Sequence, residues 1–171
     1  MSQDKKPLIL ALTEDYFVIP RLEDTSRSLG FEIELIKAPG ALGAEGEPIA
    51  RHVPLTEPLK GPDGAFMRGI VDRRPALMIV DATSDAIPWE RWIQILKTSA
   101  ATRRIPILAF GPHVETQVLE RARAAGADDV VSRGKLQASL PELIQEHARI
   151  IDFDALIEAC EGLPRSKPKK A

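Results

Sequence analysis

Asp81 follows the apolar run Leu77-Met-Ile-Val80, so its carboxylate stands where the chain would leave a buried strand. Four more polar residues follow short apolar runs in the same way: Glu14 and Asp15 after Leu8 to Leu12, His113 after Ile105 to Phe110, and Arg133 after Asp129 to Ser132. A histidine gathered beside carboxylates at one edge could do acid–base chemistry or hold a metal. Each residue also has a plainer role. Asp81 could solvate a loop or cap the next helix, and Glu14 and Asp15 would be ordinary at a helix N-terminus, where the dipole favours negative charge. A single loop histidine is commonly a cap or a solvated side chain. His52 and His147 do not extend the set, because no pair of histidines has metal-ligand spacing.

Whether these residues meet depends on the elements that carry them. Leu8 to Leu12, Leu77 to Val80 and Ile105 to Phe110 are nearly continuous apolar runs, the pattern of strands covered by helices on both faces. Glu32 to Ile36 alternates, and Asp129 to Ser132 carries Val130 and Val131, so these read as strands nearer an edge. Helical periodicity intervenes. Trp89, Trp92, Ile93 and Leu96 share a face after Pro88; Val114, Val118, Ala122 and Ala125 form a stripe ended by Gly126; and Ser139-Leu-Pro-Glu142 reads as a capping box before Leu143, Ile144 and Ile151. Phe66, Ile70 and Val71 mark a shorter helix, and Ile19, Leu22 and Leu29 mark one ending at Gly30, with Pro20 disturbing its start. Strand–helix repetition of this kind predicts an α/β fold, a doubly wound five-stranded parallel sheet with ligands at the carboxyl ends of its strands. Trp89 and Trp92 read as core in preference to a partner-binding patch.

At 171 residues and 44% hydrophobic, the chain can bury one full core. Residues 1–151 are expected to form that domain, with a proline-rich insertion at 38–62, an extra helix at 152–162 and a disordered basic tail at 163–171. The 23 basic and 25 acidic residues give a net charge of -2, too mixed a field to hold nucleic acid or an anionic membrane. A lone cysteine, Cys160, and the absence of a long apolar N-terminal run are the signs of a cytoplasmic protein. No phosphate-binding glycine loop follows the first strand and no Gly-x-Ser-x-Gly elbow occurs, which argues against a dinucleotide enzyme and an α/β-hydrolase.

The run Ile105-Pro-Ile-Leu-Ala-Phe110, followed by Ala124-Ala-Gly-Ala-Asp-Asp-Val130, resembles the fourth strand, fourth helix and fifth strand of response-regulator receiver domains. Pro75-Ala-Leu-Met-Ile-Val-Asp81 is similar to their third strand, and the resemblance spans roughly residues 7–150. It implies a flavodoxin-like receiver fold with strand order 2-1-3-4-5, and it makes Asp81 the phosphoacceptor position, served by a histidine kinase. Attack on a phosphoryl group calls for Mg2+, which the family holds with an acidic pair after the first strand. Direct continuation of the strand puts Leu12 and Thr13 there, whereas a longer strand brings Glu14 and Asp15. The longer registration is preferred, so Asp15, Glu14 and Asp81 are the expected metal ligands.

Two departures from the family pattern bear on chemistry. Gly111 stands where the family has a threonine or serine whose hydroxyl contacts the phosphoryl group, and Arg133 stands where it has a lysine. Phe110-Gly-Pro-His-Val114 looks like a motif of divergent, non-switching receivers, with His113 and Arg133 near Asp81 as further ligand-contacting candidates. The expectation is a pseudo-receiver, not an enzyme, in which Asp81 is vestigial or phosphorylated inefficiently. It would act by protein–protein docking, including a homodimer through its fourth and fifth helices. The alternative is a small-molecule-binding domain or enzyme built on the Asp15, Asp81, His113 and Arg133 edge, with the 38–62 segment as a lid.

Overall fold

The protein is described here by a computed structural model covering residues 5–45 and 59–149. Five strands, β1 (Leu8–Leu12), β2 (Glu32–Ile36), β3 (Leu77–Asp81), β4 (Ile107–Gly111) and β5 (Asp129–Ser132), form one sheet in the order β2-β1-β3-β4-β5. Every pairing is parallel. β3 and β4 are buried along their whole length and β1 along nearly all of it, which is why they read as unbroken apolar runs. β2 lies at an edge and is largely half-exposed, hence its alternation.

Six helices cover the sheet: α1 (Ile19–Ser28), α2 (Gly61–Arg73), α3 (Trp89–Thr98), α4 (Thr116–Ala125), α5 (Arg133–Ala138) and α6 (Leu140–His147). Side chains alternate along each strand, so each strand feeds two separate cores. Leu10, Leu12, Met78, Val80, Ile107 and Ala109 pack with α2, α3 and α4. Ile9, Ala11, Leu77, Ile79, Leu108 and Phe110 pack on the other face with α1, α5 and α6. Trp89 and Trp92 are core residues, as expected. Trp92 stacks on Phe66 of α2 with ring centroids 4.1 Å apart and planes 8° from parallel.

Beside that stack lies an ion pair. Arg91 of α3 places Nη2 2.9 Å from Oδ2 of Asp63 in the first turn of α2, and both side chains are buried. Taking two charges out of water is costly, and their attraction offsets the cost only while both partners remain.

Four sequence expectations change. Pro20 does not disturb α1: it occupies the first turn, where its missing N–H leaves no hydrogen bond unmade. Val114 is not on the α4 stripe but precedes the helix and is exposed, since the chain is still turning at Pro112 and His113. Ser139 makes no capping hydrogen bond, because it also terminates α5, giving its N–H to the Lys135 carbonyl at φ -122° and ψ 25°, away from the extended backbone typical of a cap. Ser132 supplies the cap that is formed, its Oγ accepting from the Lys135 N–H and starting α5, a helix that the sequence periodicity did not mark.

The 38–62 segment is more ordered at its ends than a surface insertion would be. Pro39–Leu42 forms a 3-10 turn whose Leu42 is buried with Ala44 in the α2/α3 core, and α2 already begins at Gly61. The middle of that segment, residues 46–58, lies outside the described residues, as do Ile151, the extra helix expected at 152–162 and the tail at 163–171.

Arg91→Met leaves the Asp63 carboxylate buried without its cation and is expected to destabilise the fold by about 3 kcal/mol. The double variant Arg91→Met/Asp63→Leu should recover most of that loss, read by urea denaturation of both chains.

Candidate functional site

Asp81 ends β3 and is paired in register with Phe110 of β4, while Leu12 pairs with Val80, so Thr13 falls next to Asp81. Alternation turns both side chains toward the α1/α5/α6 face, continuing the Ile79 and Ala11 rows. The carboxylate is 3% exposed. Its Oδ2 accepts from the Thr13 hydroxyl at 3.1 Å, and its Oδ1 accepts from the Thr83 hydroxyl at 2.6 Å and the Thr83 N–H at 2.9 Å. Both oxygens are therefore engaged by two threonines. The Thr83 contacts close a local turn, since an aspartate readily bonds the backbone two residues on.

Thr13 relays this network to Asp15, whose N–H donates to the Thr13 hydroxyl at 3.0 Å. Asp15 in turn accepts from the Phe17 N–H through Oδ1 at 2.9 Å, and its carbonyl takes the N–H groups of Val18 and Ile19. Its Oδ2 lies 2.9 Å from Nε of Arg133, the first residue of α5. That distance suits a hydrogen bond but the geometry does not, for Nε is buried and donates to no acceptor. The contact is an ion pair, with the Nε–H left unsatisfied.

The structure brings Asp81, Asp15 and Arg133 to one edge but joins them differently from expectation. β1 ends at Leu12, so the longer registration is not adopted, and Thr13 takes the place beside Asp81 that Glu14 or Asp15 was expected to fill. Glu14 is exposed. His113 is also exposed, and among the described residues it hydrogen-bonds neither Asp81 nor Arg133. Gly111 is the last residue of β4; a Cβ there would sit 3.3 Å from Leu119 Cδ2 and 3.7 Å from Thr83 Cγ2. Leu119 and the Thr83 methyl thus line the space a hydroxyl would need. Thr83 was not singled out from the sequence. Its signal is the Asp81-Ala-Thr83 spacing, that of an aspartate turn.

No protein-family model matches the chain, and no curated protein matches it. Solved structures do. The receiver domain of sensor histidine kinase PA1611 from Pseudomonas aeruginosa PAO1 is similar at TM-score 0.60 and 16% identity, covering 83% of this chain and 97% of that one. The chain has the receiver fold. The signal receiver domain of a signal transduction histidine kinase from Syntrophus aciditrophicus gives TM-score 0.59 at 14% identity over 96% of this chain and 98% of that one. Chemotaxis response regulator CheY4 of Vibrio cholerae gives 0.58 at 13% identity over 82% and 98%.

The PA1611 receiver has a magnesium ion coordinated in its active site cleft. In this chain Asp81 is flanked by Thr13 and Thr83. Asp15 is engaged by Phe17 and Arg133, and among the described residues no three His, Cys, Asp or Glu side chains are grouped to hold a metal. A neutral threonine beside Asp81 is a weaker ligand for a hard dication than a carboxylate, so the fit is poor.

Removing either threonine hydroxyl leaves a buried carboxylate oxygen short of a donor. Thr13→Val and Thr83→Val are each expected to cost about 1–3 kcal/mol, and Thr83→Ser clearly less, by chemical denaturation at neutral pH.

Proposed function

We propose that this chain is a receiver-like signalling module that acts by docking to a protein partner, with Asp81 a dormant phosphoacceptor. The observation that carries the reading is the saturation of Asp81: a buried carboxylate with both oxygens held by threonine hydroxyls, at an edge where no three metal-ligating side chains are grouped among the described residues. To attack a phosphoryl group, one oxygen must give up a hydrogen bond and the incoming charge must be neutralised. Here the first step costs a donor to a buried anion, and the second lacks a full ligand set. Gly111 offers no hydroxyl to read the product.

Output then rests on surfaces that are the same at all times. The outer faces of α4, over 118–123, and of α5 and α6, within 136–150, are the surfaces we assign to a partner, a histidine kinase or a second copy of the chain. They have no strongly charged character that would favour nucleic acid, and among the described residues no helix is long and apolar enough to cross a membrane. We infer a cytoplasmic, non-enzymatic role. A catalytic or small-molecule site at Asp15, Asp81, His113 and Arg133 gains no support from His113, which stands apart in solvent.

Incubation with acetyl phosphate and magnesium, followed by intact mass measurement, is expected to give little one-phosphate adduct. Amide exchange in α4 and α6 should be unchanged by beryllium fluoride with magnesium. A near-stoichiometric adduct lost in Asp81→Asn, with protection spreading through α4 and α6, would overturn the reading.

A further inference from the structure

The Asp15–Arg133 pair joins two chain segments that the sheet keeps apart. β1 and β5 are separated by β3 and β4. Neither residue lies in a strand: Asp15 is three residues past the end of β1 and Arg133 follows β5 directly, and the turns that carry them bring the two side chains to 2.9 Å. Asp15 leads into α1 and Arg133 opens α5, and these helices cover the face toward which Asp81 points. A second contact holds the same helices together, Arg21 Nε of α1 donating to the Gln137 carbonyl of α5 at 2.6 Å.

From this placement, and from the Thr13 hydroxyl that bonds both Asp81 and the Asp15 N–H, we propose that the Asp15–Arg133 pair is a latch tying the start of α1 to the start of α5 beside Asp81, and that breaking it admits solvent and reagents to the Asp81 carboxylate. The inference rests on the dormant-phosphoacceptor reading and names a second barrier within the same site. Three features fit a latch better than a permanent strut. The Arg133 side chain is 38% exposed, so water and salt compete for it, whereas Asp15 is 12% exposed. The Arg133 Nε–H, buried without an acceptor, is a standing cost of the closed arrangement that another partner could relieve. Asp15 also holds the Phe17 N–H, so movement of its carboxylate is felt in the turn that presents Tyr16 and Phe17, which are 74% and 88% exposed. Access to Asp81 is thereby coupled to the most exposed aromatic pair of the described residues.

The test labels carboxyl groups of the full chain with a water-soluble carbodiimide and a glycine ester, and maps the products by peptide mass. In the wild type, exposed Glu14 and Asp85 should label and Asp81 should not. In Asp15→Asn and Arg133→Gln, Asp81 labelling should rise by about fivefold or more, the scale of a modest local opening. Amide exchange of β3 and β4 should stay unchanged, showing that the fold persists. The charge-swapped double variant Asp15→Arg/Arg133→Asp should return Asp81 toward wild-type protection. Equal labelling of Asp81 with the pair intact or broken, or a swapped variant that labels like the single ones, overturns the latch. This readout involves no phosphoryl transfer. A latch that fails here leaves the dormant-phosphoacceptor reading to its own test, and a wild type that phosphorylates readily defeats that reading whatever the labelling shows.

Discussion

Burial of the Asp81 carboxylate is the constraint to which the carboxyl edge of the sheet conforms. An ionised carboxyl group removed from water must recover its hydration from the protein or the fold loses several kcal/mol. Thr13 and Thr83 supply three hydrogen bonds, and each depends on a different part of the architecture. The Thr83 bonds are local and need only the turn after β3. The Thr13 bond needs β1 and β3 in their observed register, because a slip of one residue would turn Thr13 to the opposite face and bring an apolar side chain, Leu12, to the carboxylate. The polar pair thus helps to select the register that the apolar rows also favour.

The two faces of the sheet differ in how they could transmit a change. The α2/α3/α4 face carries the larger aromatics and the buried Arg91–Asp63 pair, so shifting those helices would break contacts that water cannot replace. On the α1/α5/α6 face the links near the active edge are solvent-accessible ion pairs and single hydrogen bonds, such as Arg21 to Gln137 and Asp15 to Arg133. Such contacts contribute little stability and exchange readily with water.

The sheet was legible because its physics is local to each strand: continuous apolar runs at Leu8–Leu12, Leu77–Asp81 and Ile107–Gly111 can be satisfied only between two helical layers. Errors arose where one residue type serves two environments. Val114 is apolar, yet its position is set by the turn through Pro112 and it faces solvent. Ser139-Leu-Pro-Glu142 has the letters of a capping box, but the serine is already used as the end of α5. At the site, a reading that follows charge finds Asp81, Asp15 and Arg133, sets Thr13 aside for the longer registration and passes over Thr83, because a neutral hydroxyl carries no sequence signature of its role until a register places it beside an anion. The same bias favoured the longer β1, which would have brought a second carboxylate to a place the protein gives to a threonine.

Gly111 and Arg133 then acquire a common explanation. A switch driven by a ligand needs a group whose contacts differ between two states, since the equilibrium moves only by that differential affinity. A hydroxyl after β4 could be such a group, but at Gly111 the neighbouring space is lined by Leu119 and the Thr83 methyl, and Thr83 is committed to Asp81. A cation after β5 could be another, but Arg133 is already spanning to Asp15. Its planar guanidinium does not present charge as a compact ammonium would, so it is not a geometric substitute for one. On the reading we propose, with no hydroxyl at Gly111 and with Arg133 held by Asp15, a charge added at Asp81 would meet no partner that prefers the altered state.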